Sequence, residues 1–245
     1  MSGVPQGSIL VPLLFLIYIN DIINISTLLL PILFADDTNL FLKGSNIDQM
    51  VTQINIELIK LMDWIHANKL SLNISKTRYV IFKTRGKVDK TNSLNVYIDQ
   101  VKLKNVETTK FLGVIIDNRL SWSQHINYIK NKIAKSIGIL CKARKFLYTT
   151  TLVTLYNCFI YPYIIYGVEV WGTASDCYVQ QILKLQKRSV RVITSSRARD
   201  HSTPLFKKLK ILPFSHVYII LCYKINVQIC KRVGTFITKG HVYHY

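Results

Sequence analysis

Phe34-Ala35-Asp36-Asp37-Thr38 is the stretch whose reading decides the fold. An apolar run, Leu28-Leu29-Leu30-Pro31-Ile32-Leu33, leads into it and a second, Asn39-Leu40-Phe41-Leu42, leaves it. Two carboxylates therefore fall between segments that read as buried strands joined by a short turn. Charge is costly beside an apolar sheet: a carboxylate there shifts toward neutrality or recruits a counter-ion, and hard oxygen donors suit Mg²⁺ or Mn²⁺. Neighbouring side chains on a strand point to opposite faces, so Asp36 and Asp37 can serve one site only where the backbone reverses. A hairpin tip meets that condition. A plain Asp-Asp turn, held by local hydrogen bonds, is the other reading of the same residues.

Upstream, Gly3-Val4-Pro5-Gln6-Gly7-Ser8 is a glycine-and-proline loop. Glycine lets backbone approach a ligand closely, and Gln6 can both donate and accept, as positioning a nucleotide requires. A helix is expected from about Ser8 to Pro12 onward, with Leu13, Leu14, Ile17 and Tyr18 on one face. Downstream, Asn46 caps a long amphipathic helix ending near Asn68, in which Ile47, Met50, Val51, Ile54, Leu58, Leu61, Met62 and Ile65 recur at spacings of three and four. Lys76 then precedes an expected strand, Tyr79–Phe82. A Lys held near phosphates can protonate a leaving pyrophosphate; a solvated Lys beside a turn is the plainer reading. Residues 83 to 93 read as a loop around Gly86, residues 95–104 as a hairpin turning at Asp99-Gln100, and Phe111–Ile116 as one buried strand with a possible bulge.

Beyond Trp122 helices take over. Ile126, Ile129, Ile133, Ile137, Leu140 and Cys141 form one apolar stripe, and Tyr156 to Trp171 reads as core, its aromatics packed rather than stacked on bases. A helix over Asp176 to Ile193 sets Lys184, Lys187, Arg188 and Arg191 opposite Val179, Ile182, Leu183, Val190 and Ile193, a stripe suited to phosphate contacts without base readout. Two more helices, near 204–212 and 216–231, close the chain. The charge is as uneven as the patterning: of a net +19, residues up to 117 hold 12 Lys and Arg against 10 Asp and Glu, and those beyond it 20 against 3. An excess so localised calls for a polyanionic partner. Anionic membrane competes as a partner, but no uninterrupted apolar segment reaches the roughly 20 residues that span a bilayer. The N-terminus lacks a basic lead and a small-residue cleavage site, and five widely spaced cysteines indicate reduced thiols, so an intracellular protein is expected. Cys222, Cys230, His241 and His244 fit no zinc-finger spacing, which leaves helix packing for the cysteines.

Taken together, Gly3-Val4-Pro5-Gln6-Gly7-Ser8-Ile9-Leu10, Pro12-Leu13-Leu14-Phe15, the Phe-Ala-Asp-Asp element, Asn68-Lys69-Leu70-Ser71-Leu72-Asn73-Ile74-Ser75-Lys76-Thr77, Phe111-Leu112-Gly113-Val114-Ile115-Ile116-Asp117 and His125-Ile126 resemble, in this order, the reverse transcriptases of non-LTR, jockey-like retrotransposons. The resemblance implies an α+β fold: a partial polymerase palm over residues 1–117, with an antiparallel sheet and packed helices, a helical thumb over 118–165, and a helical basic region over 166–245. It implies an RNA-directed DNA polymerase using Mg²⁺ or Mn²⁺, an RNA template, a DNA primer and deoxynucleoside triphosphates. Asp36 and Asp37 would be catalytic metal ligands and Lys76 the acid. Gly3, Pro5, Gln6, Gly7, Phe34 and Ala35 would lie at the nucleotide and template, Phe111, Leu112 and Gly113 at the primer end, and Lys184, Lys187, Arg188 and Arg191 along the backbone. Two departures stand out. Val11 replaces a customary glycine, and no acid here sits in the context of the family's third catalytic aspartate, which precedes the glycine loop. The isolated chain is accordingly expected to be weakly active at best, and a catalytically inactive nucleic-acid-binding remnant is the alternative.

Overall fold

The computed structural model describes residues 8–83 and 94–238, with side chains through residue 228. Gly3, Pro5, Gln6 and Gly7, residues 84–93 with Gly86, the Cys230 side chain, His241 and His244 lie outside the described residues. The chain divides into two compact units, the first ending at Glu107 and the second beginning at Thr108. Within the second unit one apolar core joins buried residues from Val114 to Phe214.

In the first unit, α1 (Leu10–Ile19) leads through a short 3₁₀ turn (Asn20–Asn24) into the hairpin β1 (Leu30–Phe34) and β2 (Asp37–Phe41), followed by α2 (Ile47–Ala67). Asn46 caps α2 as expected, its side chain accepting from the Asp48 N–H at 3.0 Å. Leu58, Leu61, Met62 and Ile65 of α2 pack with Ile19, Ile22, Val96, Ile98 and Leu103. The Asn55 amide uses both ends, donating to the Asn95 carbonyl and accepting from the Tyr97 N–H, each at 2.9 Å. That pair of bonds seats β4 (Tyr97–Ile98) on α2; β3 (Arg78–Tyr79), β5 (Val101–Lys102) and β6 (Lys104–Asn105) complete the unit. The expected strand over 79–82 is thus short. Pairing is antiparallel for β1–β2 and β4–β5 and parallel for β3–β6.

Two expectations about burial change here. Leu13, Leu14, Ile17 and Tyr18 are exposed, and α1 packs instead through Phe15 and Ile19, since it is apolar on every side and its sequence does not single out one face. The strands beside the two acids are not buried on both faces either. Leu33 and Leu40 turn toward the α2 core, while Leu30, Ile32, Phe34 and Phe41 face outward, because a two-stranded ladder alternates sides and is covered on one.

The second unit opens with a hairpin, β7 (Thr108–Phe111) and β8 (Val114–Asp117), antiparallel in register Phe111 to Val114. The segment read as one strand over 111–116 reverses at Leu112-Gly113, where both residues have positive φ, 44° and 86°, the requirement of a type I′ turn. Then come α3 (Ser123–Ala143), α4 (Thr149–Phe159), α5 (Tyr161–Ile165), α6 (Val168–Trp171), α7 (Asp176–Ile193), α8 (Ser202–Leu209) and α9 (Phe214–Thr238). The isoleucine stripe of α3 is buried. Tyr156, Ile160, Ile164, Val168 and Trp171 are fully buried too and continue one apolar face across three short helices, with the Trp171 ring stacked on Phe214 at 5.4 Å. Gln186 of α7 lies inside this core, donating to the Tyr156 hydroxyl at 2.9 Å and the Leu212 carbonyl at 2.8 Å, and accepting from the Phe214 N–H at 2.8 Å. The fold is α+β, with small two-stranded ladders among the described residues in place of one broad antiparallel sheet. No helix of the described residues is long and apolar enough to cross a membrane.

Candidate functional site

The register Phe34 to Asp37 leaves Ala35 and Asp36 as a two-residue connection, and Ala35 has φ 50°. Positive φ at the first of two central residues is the pattern of a type II′ turn, which glycine ordinarily fills. An alanine there is held against its own preference. The reversal meets the geometric condition set by adjacent acids, because Asp36 belongs to the turn and Asp37 opens β2. Both are exposed, and among the described residues neither has an ion-pair partner. Phe34, 59% exposed, lies directly across from Asp37. Two unpaired carboxylates at one bend are a hard-donor set that fits an Mg²⁺-type cation, which keeps water and substrate phosphates in its remaining positions. Among the described residues no group of three or more His, Cys, Asp or Glu converges.

Lys76 sits on a separate turn of the same unit. Asn73 organises it, its carbonyl accepting from the Lys76 and Thr77 N–H groups at 3.1 and 3.2 Å and its side chain from the Ser75 hydroxyl at 2.7 Å. Lys76 is exposed, and no hydrogen bond or ion pair among the described residues joins it to Asp36 or Asp37. Phe111, Leu112, Gly113 and the basic stripe belong to the second unit. On α7, Lys184 and Arg188 are exposed, Lys187 and Arg191 half-exposed, and Ile182, Gln186, Val190 and Ile193 face inward, so the basic residues share the outer face as their spacing requires.

Two residues that support the 111–117 hairpin carried no expected role. Asp117 accepts from the N–H groups of Arg119, Ser121 and Trp122 at 3.3, 3.0 and 2.9 Å, shaping the turn that starts α3. Burial works to raise its pKa, but these donors and the Ser121 hydroxyl outweigh it and hold the carboxyl below its ordinary range. An acid a few residues before a helix is a recognisable Asx-type signal. His125 is buried, with Nδ1 accepting from the Ile115 N–H at 3.2 Å and the ring edge-on to Trp171 at 5.8 Å. That bond assigns the proton to Nε2, which is buried without a partner among the described residues. Burial pushes the imidazole pKa down.

Both shifts give the same sign of pH dependence. A depressed His125 destabilises the fold as pH falls below its ordinary 6.5, and Asp117 loses its contribution as pH falls below about its ordinary 3.8. The melting temperature of the protein is therefore expected to fall in two stages on acidification. His125→Gln should remove the upper stage, and a single stage below pH 4 in the wild type would exclude the histidine's part.

Residues 1–116 match the family model described as reverse transcriptase (RNA-dependent DNA polymerase). Over 218 residues the chain is 28% identical to the probable RNA-directed DNA polymerase from transposon X-element of Drosophila melanogaster, covering 86% of this chain and 24% of the relative. It is also 28% identical over 217 residues to the RNA-directed DNA polymerase from mobile element jockey of Drosophila funebris, covering 81% of this chain and 23% of the relative. The Pol polyprotein from type-1 retrotransposable element R1 2 of Nasonia vitripennis is 26% identical over 148 residues, 55% of this chain and 34% of that protein. The chain thus spans about a quarter of the length of the first two of these relatives. No solved structure matches it.

Proposed function

We propose that this chain carries the metal-binding hairpin of an enzyme that copies RNA into DNA by template-directed nucleotidyl transfer. The observation that carries the reading is the adjacent pair Asp36-Asp37 at a strained two-residue reversal, beside an exposed Phe34. Asp36 and Asp37 would supply the protein oxygens that hold a divalent cation. Mg²⁺ or Mn²⁺ bound there supplies activation of the primer 3′-hydroxyl and neutralises charge on the phosphoryl group in transfer. Lys76 stands as the proton donor to the leaving pyrophosphate, on a turn that Asn73 keeps rigid. Gly3, Pro5, Gln6 and Gly7, with Phe34 and Ala35, form the nucleotide and template side; Phe111, Leu112 and Gly113 meet the primer end. In polymerase terms residues 1–117 are part of a palm, 118–165 a thumb, and 166–245 a basic region tracking the nucleic acid.

The α7 stripe gives this reading a quantitative consequence. If Lys184, Lys187, Arg188 and Arg191 each neutralise a phosphate, replacing all four by alanine lowers the slope of log affinity against log salt by about 3 to 4 for a duplex. A slope change below about 1 would mean that these residues merely solvate the helix. The whole reading is tested by incubating the purified chain with an RNA template, a recessed DNA primer, deoxynucleotides and Mg²⁺ or Mn²⁺. Weak extension that follows the template and stops with chelator is expected. Salt-sensitive retention of primer–template with no extension in either metal would favour the binding-only remnant.

A further inference from the structure

We infer that Tyr166 is the positioning residue that sets the shape of the turn at Leu112-Gly113, an assignment that rests on the proposed primer contact of that turn. A leucine at φ 44° is uncommon, and a contact from outside the hairpin helps to hold it there. Tyr166 lies between α5 and α6, separated by 54 residues from Leu112, and its hydroxyl donates to the Leu112 carbonyl at 2.5 Å. Its ring also covers Gly113, where a Cβ would come within 3.1 Å of a Tyr166 ring carbon. The next residue, Gly167, brings its backbone as close to β8, since a Cβ there would stand 3.1 Å from Val114 Cγ2. The Tyr166 carbonyl is held in turn by the indole N–H of the fully buried Trp171 at 2.8 Å. From the other side, His125 takes the Ile115 N–H.

Burial does not explain this tyrosine. It is 57% exposed, an exception among the packed aromatics expected over 156–171, and its hydroxyl is committed to the turn rather than to the core. An anchored Trp171, a tyrosine locked by its own carbonyl and a turn locked by that tyrosine form one chain of support. Its far end is the pair of residues to which the primer contact is assigned. The turn is therefore presented preformed, so that a primer terminus meets a fixed backbone instead of ordering a mobile one.

Tyr166→Phe removes the hydroxyl and keeps the ring over Gly113. With the full chain, two readings follow: amide hydrogen exchange at residues 112–114, and affinity for a primer–template with a recessed 3′ end compared with a blunt duplex of equal length. Loss of one such hydrogen bond is expected to speed exchange at the turn about 3- to 10-fold and to weaken recessed-end binding by a similar factor. The melting temperature and blunt-duplex affinity should stay as in the wild type. Unchanged exchange together with an unchanged preference for the recessed end would overturn the assignment. If the wild type itself shows no such preference, the primer reading of 111–113 fails, and the exchange measurement alone decides whether Tyr166 holds the turn.

Discussion

Asp36→Asn is expected to lower metal-dependent primer extension by about 10³-fold or more while leaving nucleic-acid binding in place. Asparagine has nearly the shape of aspartate and is at home in turns, so the two-residue reversal between β1 and β2 survives the change. What goes is a full negative charge at the proposed ligand position. Charge stabilisation by a bound divalent cation contributes several kcal/mol to phosphoryl transfer, and at roughly 1.4 kcal/mol per factor of ten, a loss of about 4 kcal/mol is a thousandfold. Asp37→Asn should behave alike, because Asp37 opens β2 at the same bend. Single-turnover extension with excess protein is the measurement that reads this through a slow reaction. Activity within about threefold of wild type would remove Asp36 from the metal site, whatever the family suggests. The basic stripe belongs to the second unit, so binding and chemistry should separate cleanly in this variant.

Gln186→Leu is expected to destabilise the helical unit by about 3 to 5 kcal/mol, a large part of the stability of an ordinary domain. The side chain is fully buried and satisfies three groups at once: the Tyr156 hydroxyl, the Leu212 carbonyl and the Phe214 N–H. Leucine fills the volume but strands these partners in apolar surroundings, each at about 1 to 3 kcal/mol before relaxation. Burial already drives the Tyr156 phenol well above its ordinary pKa, with the Gln186 hydrogen bond opposing that shift, so ionisation offers the stranded hydroxyl no relief. A fall in melting temperature of more than about 10 °C is the expected readout. A fall of under about 2 °C would mean that water or a rearranged α9 start replaces the amide.

Much of the outline was legible because it rests on local rules. The caps and periodicity of α2, the isoleucine stripe of α3, the basic outer face of α7 and the reversal at Asp36 all follow from the spacing of a few residues. Failures came where a strand had to be judged without its neighbours. Phe111–Ile116 looks continuous by hydrophobicity, yet Leu112 and Gly113 both take positive φ and fold it into a hairpin. Nothing in the spacing of Leu112 announces this, since the tyrosine that helps to hold it comes 54 residues later. Gln186 was equally silent: a polar residue on the apolar side of α7 reads as a flaw until Tyr156, Leu212 and Phe214 converge on it.

The sequence by itself determined the likeness to reverse transcriptases, because the order of its motifs, its two neighbouring acids and its lopsided positive charge are covalent facts that no packing can alter. Tertiary structure alone decided which face of the β1–β2 hairpin meets the core, where the two units part, and which side chains hold the 111–113 turn. Those outcomes depend on contacts between residues far apart in the chain, and their free energies exist only once both partners have been brought together.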